Sequence, residues 1–172
     1  MWQLATAFAE VALRRRGPES LPDSNFLVLA LLAACLFLTL IDLALIRSLT
    51  GPNLALLGAT TVLQFAFVFA VLAFFKLERR FRQTISAMLG VDICITLAYM
   101  PFTIGGLALR LEFTEFTFLW WLRVGFVLWS IFIAASILAR SLSQPFLIGL
   151  MFEILFVLTS LSIGDLLFPA AS

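Results

Sequence analysis

Residues 26–46 read FLVLALLAACLFLTLIDLALI and carry one charged side chain, Asp42. A helix over this stretch is about 31 Å long, which matches the hydrocarbon core of a bilayer. Four comparable runs follow along the 172-residue chain. The five predicted transmembrane spans are Phe26–Ile46, Leu54–Phe75, Thr84–Leu109, Phe116–Leu138 and Pro145–Phe168.

The composition excludes a water-soluble protein. Hydrophobic residues make up 63% of the chain and charged residues 12%, whereas soluble domains are about 45–50% apolar and about 25% charged. Backbone polar groups in lipid must be satisfied within the protein, so apolar spans of this length must be helices. The predicted fold class is an all-α integral membrane protein, a bundle of five transmembrane helices.

The links between the runs are short, which predicts that consecutive helices are antiparallel neighbours in one bundle. One link, Arg47–Asn53, contains a Gly-Pro pair that we interpret as a stop signal. We predict a bundle over residues 26–168, an N-terminal arm over 1–25 and a short tail over 169–172.

Lysine and arginine are distributed unequally between the two ends of the predicted spans. Eight of the 11 basic residues precede the first span or lie in the second and fourth links, and two lie on the opposite side. The positive-inside rule then predicts a cytoplasmic N-terminus and an external C-terminus, in a plasma membrane of the bacterial inner-membrane type. The eight residues are Arg14, Arg15, Arg16, Lys76, Arg79, Arg80, Arg82 and Arg140.

The N-terminal arm has the pattern of an amphipathic helix. Trp2, Leu4, Phe8 and Val11 recur on one face, and the basic run Arg14–Arg16 follows. A cleavable signal peptide would have its positive charges before its apolar stretch, so we predict a surface helix on the inner leaflet. The alternative is a frayed leader that ends in a basic stop.

The residue inventory excludes several kinds of site. The chain has no histidine, which removes His-ligated metals and haem and any Ser–His or Cys–His nucleophile pair. Cys35 and Cys94 each lie inside an apolar run and form no disulfide framework. The net charge of +1 gives no general attraction to nucleic acid. We expect no enzyme activity and no cofactor.

Polar residues inside the spans fall into stripes, which we predict to face the interior while phenylalanine-rich faces meet lipid. Small residues in the stripes, Gly149 and Gly164, are expected to let helices approach closely. The stripes are Cys35, Thr39 and Asp42; Thr60, Thr61 and Gln64; Asp92, Thr96, Tyr99 and Thr103; Arg123 and Ser130; and Gly149, Glu153, Ser160 and Gly164.

Two carboxyl groups, those of Asp92 and Glu153, lie at the same predicted depth, about 12 Å from the inner end of their spans. With Thr96 and Tyr99 nearby, they form a candidate proton or cation site. We expect one or both to be protonated at neutral pH, because burial favours the neutral acid. The alternative is a structural role, with neutral carboxyls hydrogen-bonded between helices.

Arg123 is the one basic residue inside a predicted span. An arginine at this depth stays charged and needs a partner or a path to water. We predict an ion pair with Asp42 or Asp165 in the outer half of the bilayer. The alternative is that Arg123 extends to the outer headgroups beside Trp120 and Trp121.

The order of segments, an amphipathic arm leading through LRRRGPESLP (residues 13–22) into five closely spaced spans, resembles the Ypt-interacting (Yip-type) membrane family. The resemblance is one of plan, and it is nearest to the compact prokaryotic-like form, for which it implies a membrane location. The Asp-Leu-Trp/Tyr-Gly-Pro signature of the eukaryotic members is missing, so no functional residue is transferred.

Two functions are compatible with these features. The first is a non-enzymatic accessory or organising subunit that interacts with lipid and with other membrane proteins or further copies of itself. Its basic segments, Arg14–Arg16 and Lys76–Arg82, are candidate docking sites, although positive-inside topology also explains them. The second is a small proton-linked transporter or channel that uses Asp92 and Glu153, with Pro101 interrupting the third span. A cavity that reaches both carboxyls favours transport, and a sealed interior favours the subunit.

Overall fold

The computed structural model describes residues 24–45, 49–108 and 118–167, and within these ranges it contains helices and no strands. Each of the five long helices is apolar and long enough to cross a membrane, as predicted. A 3₁₀ turn, Glu78–Arg80, precedes the third of them. The N-terminal arm, with its predicted surface helix, and the C-terminal tail lie outside the described residues. The helices are α1 (Asn25–Leu45), α2 (Gly51–Phe74), α3 (Phe81–Ala108), α4 (Phe118–Ser141) and α5 (Phe146–Leu167).

The interpretation of Gly51-Pro52 as a stop signal is wrong, because these residues begin α2. Thr50 is the N-cap, and its hydroxyl accepts a hydrogen bond from the Asn53 backbone N–H at 3.5 Å. Proline suits the first turn of a helix, where its missing N–H has no intrahelical acceptor. Proline inside α3 is also accommodated, since that helix continues through Pro101 to Ala108.

Helix α3 is the centre of the bundle and packs along both α1 and α4, while α5 packs along α4. Helix α2 makes smaller contacts with α3 and α5. The expectation that consecutive helices are neighbours is therefore wrong for α1, whose main partner is α3 rather than α2. A short link brings two helix ends together, but the packing of their faces decides which helices run side by side.

The tightest packing lies where α2 and α4 end and α3 and α5 begin, which we call the basic end. Leu72, Ile85 and Leu138 are all fully buried there. At Gly149 of α5, an added Cβ would lie 2.8 Å from the Ala139 Cβ and would also collide with the Ala135 carbonyl oxygen. Close approach at Gly149 is thus as predicted. Gly164 differs, because a Cβ there would meet only Leu56, at an ordinary 3.7 Å.

Two similar turns close the helices at the basic end. Lys76 (φ 57°) follows α2, and Ser143 (φ 54°) follows α4. In each turn the next backbone N–H donates to a carbonyl five residues earlier, Leu77 to Leu72 and Gln144 to Ala139. This is the Schellman arrangement, in which a left-handed residue satisfies carbonyls at a helix C-terminus.

Arg80 and Thr84 connect these turns. One guanidinium nitrogen of Arg80 donates to the Ser141 carbonyl oxygen and to the Ser143 hydroxyl, both at 2.9 Å. The buried hydroxyls of Thr84 and Ser141 are 2.8 Å apart. A cation at the end of α4 also complements the negative end of the helix dipole. The start of α3 is therefore fixed to the end of α4.

Only some of the phenylalanines are exposed, as the expectation that they face lipid requires. Phe26, Phe74 and Phe118 are at least 75% exposed. Others pack between helices: Phe81 contacts Phe65 and Phe69 of α2, and two further pairs join α2 and its C-cap residue to α5. Large rings can bridge the wider spacing between α2 and its neighbours, which smaller side chains would leave open.

Candidate functional site

A cavity of about 510 Å³ lies between the helices, and all five contribute to its lining. Met88 and Ile137 belong both to this lining and to the buried cluster of the basic end, so that cluster bounds the cavity on one side. Most of the predicted polar stripes meet here. The polar lining residues are Cys35, Thr39, Thr60, Thr61, Gln64, Asp92, Thr96, Ser130, Glu153 and Ser160.

The cavity brings the two predicted carboxyls together. Asp92 of α3 is half-buried, and Glu153 of α5 is 7% exposed. The Asp92 carboxyl interacts with Glu153 electrostatically and accepts a hydrogen bond from the Gln64 side chain. Asp92 and Glu153 lie at about the same distance from the basic end, and α3 and α5 both pack against α4. This arrangement explains why the two carboxyls line the same cavity.

Several hydroxyls of the lining use their proton within their own helix. Thr39 donates to the Cys35 carbonyl oxygen at 2.9 Å, and Thr61 donates to that of Leu57 at 2.7 Å. Thr60 and Ser130 donate to their own helices in the same way. A hydroxyl with its proton engaged presents only lone pairs elsewhere. Toward the cavity, these groups therefore act as hydrogen-bond acceptors.

A second, smaller cavity of about 130 Å³ adjoins the first on the side away from the basic end. The two share Ile95, Thr96, Val127 and Ser130 in their linings. Tyr99 lines the smaller cavity rather than the larger one, so the predicted group of Asp92, Glu153, Thr96 and Tyr99 is divided between them.

The predicted partners Arg123 and Asp42 both line the smaller cavity. Among the described residues, however, their contacts are with other groups. The Arg123 guanidinium carbon lies 6.0 Å from the centre of the Tyr99 ring, within cation–π range. An Asp42 carboxyl oxygen accepts a hydrogen bond from Thr103 at 3.4 Å. Asp165 lies near the far end of α5, and its side chain is outside the description.

The predicted basic docking sites have different positions. Arg14–Arg16 lie outside the described residues. Lys76, Arg79 and Arg82 are exposed at the basic end, and Arg80 binds the end of α4 as described above. This structural role of Arg80 was not predicted from the sequence. The sequence feature that could have indicated it is the fourth link, in which Ser141 and Ser143 lie at the same end of the bundle as Arg80 and supply oxygen atoms for a guanidinium group.

Comparison with known proteins gives no match: no family model, no curated protein and no solved structure matches this chain. The resemblance to the Yip-type family stays a prediction.

Proposed function

We propose that the chain is a multi-pass membrane protein that transports a small polar solute, or protons, through the cavity between its helices. The observation that carries this proposal is the cavity itself, which reaches both Asp92 and Glu153. Ionisable residues inside a membrane domain are energetically expensive and commonly belong to ion or proton pathways. In the proposed orientation the basic end and the N-terminus face the cytoplasm of a bacterial cell and the C-terminus is external.

The geometry favours transport over a purely structural role for the two carboxyls. A structural pair would be enclosed by hydrogen-bonding partners, whereas both carboxyls line an open volume that a small solute can occupy. The carboxyls can bind and release protons, and this supplies the coupling in a proton-linked transporter. The accessory-subunit function stays the alternative prediction, with transport absent and protein partners present.

Proton movement into vesicles tests the proposal. Purified protein is reconstituted into liposomes that contain a pH-sensitive dye, and a potassium diffusion potential, negative inside, is imposed with valinomycin. We expect the vesicle interior to acidify faster than in protein-free liposomes. The double variant Asp92→Asn with Glu153→Gln should lose this difference because neither amide exchanges protons.

A variant with a polar change outside the cavity is the matched control. Thr159→Val alters a hydroxyl on the exposed side of α5, next to Ser160, and should acidify like the wild type. Acidification equal to that of protein-free liposomes would contradict proton transport. Recovery of a stoichiometric membrane partner from mild detergent would then favour the accessory subunit.

A further inference from the structure

The ionisable groups in the described lining of the larger cavity are acidic. Asp92 and Glu153 are its acidic groups, and its described lining includes no lysine or arginine. The intramembrane cation, Arg123, lies in the smaller cavity with its guanidinium over Tyr99. A solute in the larger cavity therefore meets carboxyl groups without a competing positive charge.

Hydrogen bonding gives the cavity the same preference. Thr39, Thr60, Thr61 and Ser130 donate to carbonyl oxygens of their own helices. Their remaining capacity is to accept, as it is for an ionised carboxyl. These four hydroxyls match a ligand that supplies N–H donors better than a ligand with acceptor atoms.

Glu153 has no hydrogen-bond partner in the described part of the chain. Its side chain is 93% buried and lines the cavity. A carboxyl that lines a cavity and has no protein donor keeps its full capacity to accept hydrogen bonds from a bound molecule. Glu153 is therefore an indication of a ligand that is independent of the charge of the lining.

The size and walls of the cavity favour an organic ligand over a bare metal ion. Its volume of about 510 Å³ is within the range of small-molecule pockets, about 300–1,000 Å³. Among the described residues, no three His, Cys, Asp or Glu side chains form a metal-binding group. Apolar side chains such as Ile95, Ile131 and Val157 complete the walls and can contact a short alkyl chain.

We propose that the larger cavity binds a small organic ammonium ion, a protonated primary amine with a short apolar part, through Asp92 and Glu153. This inference deepens the proposed transport function and rests on it. The ammonium N–H groups bind the carboxyls and the acceptor hydroxyls, and the alkyl part contacts the apolar wall. A carboxyl can hold either a proton or the ammonium ion, so a bound amine and a moving proton compete for the same groups.

Thiol labelling with reagents of opposite charge tests the inference. Ser160 lines the cavity and its neighbour Leu161 is 62% exposed on the outer side of α5, so Ser160→Cys and Leu161→Cys form a matched pair. Both are made in a background with Cys35→Ser and Cys94→Ala. The reagents are aminoethyl methanethiosulfonate, a primary ammonium ion, and sulfonatoethyl methanethiosulfonate, an anion. Rates on purified protein in detergent are divided by each reagent's rate with a free thiol.

We expect the cationic reagent to label Ser160→Cys faster than the anionic one by about tenfold or more, the concentrating effect typical of a charged cleft. Leu161→Cys, which faces the detergent, should react slowly with both charged reagents. The preference should disappear in Ser160→Cys that also carries Asp92→Asn and Glu153→Gln. Propylammonium chloride should slow labelling of Ser160→Cys, whereas sodium chloride and sodium propionate at the same concentration should not. Each variant must keep the wild-type melting profile in detergent to be compared.

The outcomes separate the two proposals. Equal labelling of Ser160→Cys by both reagents would overturn the ammonium site and leave an open transport cavity. Protection by sodium chloride equal to that by propylammonium would overturn the organic ligand. If neither reagent labels Ser160→Cys, the cavity is closed to solutes and the transport function fails as well. Should a variant fail to fold, Thr61→Cys, also in the lining, replaces Ser160→Cys.

Discussion

The basic end and the opposite half of the bundle use the same helices but are packed differently, and α4 illustrates the contrast. Leu138, toward the basic end, is fully buried, whereas Leu128, ten residues earlier, is 53% exposed. Small residues surround the first position, with Ala135 and Ala139 against Gly149 of α5. Large aromatic residues such as Trp121 and Trp129 occupy the other part of α4.

This contrast shows how side-chain volume positions a cavity. Small residues let helix backbones come together, and the resulting van der Waals contacts stabilise the association of helices in lipid. The helices separate beyond that contact, and the polar stripes then line the space between them. One end supplies the stability, and the rest of the bundle is free to hold polar groups.

Gly149→Ala should disrupt the packing of the basic end, and it has the largest expected effect of the substitutions considered. Its Cβ would lie 2.8 Å from the Ala139 Cβ, and the Ala139 backbone nitrogen is also only 2.7 Å away. Backbone atoms cannot move aside as a flexible side chain can, so α4 and α5 must separate. We expect a loss of about 1–3 kcal/mol, the usual cost of overpacking, measured as a lower melting temperature in detergent.

Gly58→Ala is the control for that prediction. No atom lies within 4 Å of the Cβ position at Gly58, and alanine is the better helix former by about 1 kcal/mol. We expect an unchanged or higher melting temperature. Equal destabilisation by both substitutions would mean that the close contact of α4 with α5 is not what stabilises the basic end.

The hydroxyl pair of Thr84 and Ser141 offers a second test of the same end. Thr84→Val removes one buried hydroxyl and leaves the Ser141 hydroxyl without this partner. We expect the free energy of unfolding to fall by about 1–2 kcal/mol. Adding Ser141→Ala removes the orphaned group as well. We expect the double variant to be more stable than the sum of the single variants predicts, measured as a double-mutant cycle of unfolding free energies. Strict additivity would contradict a direct interaction.

The sequence was sufficient for the five long apolar helices and for most of the cavity lining. Apolar runs of membrane length require helices, and the i, i+4 spacing of residues such as Asp92 and Thr96 identifies the inward face. It was insufficient for the neighbours of each helix, because the apolar faces of α2 and α3 are equally suitable partners for α1. It also did not distinguish phenylalanines that pack between helices, such as Phe81, from those that are exposed.

The ion pair of Arg123 with Asp42 or Asp165 stays a prediction, because the Asp165 side chain lies outside the description, and substitutions here have the smallest expected effect. The predicted depth in the membrane places Arg123 near Asp42, and an ion pair would lower the energetic cost of both charges in lipid. In the structure Arg123 lies over Tyr99, while Asp42 accepts from Thr103. The hydrogen bond from Thr103 engages Asp42, and the contact with the Tyr99 ring engages Arg123, so the two side chains have different partners.

We therefore expect Arg123→Met to cost about 0.5–1 kcal/mol, the scale of an exposed cation–π contact, and Asp42→Asn to act independently of it. A double-mutant cycle of unfolding free energies in detergent should give a coupling near zero, because each side chain has a different partner. The matched comparison is Arg123→Met with Tyr99→Leu, which should be coupled. A strong coupling of Arg123 with Asp42 and none with Tyr99 would restore the ion pair. It would also show that electrostatic attraction, rather than the contact with the Tyr99 ring, stabilises helix packing in the half of the bundle away from the basic end.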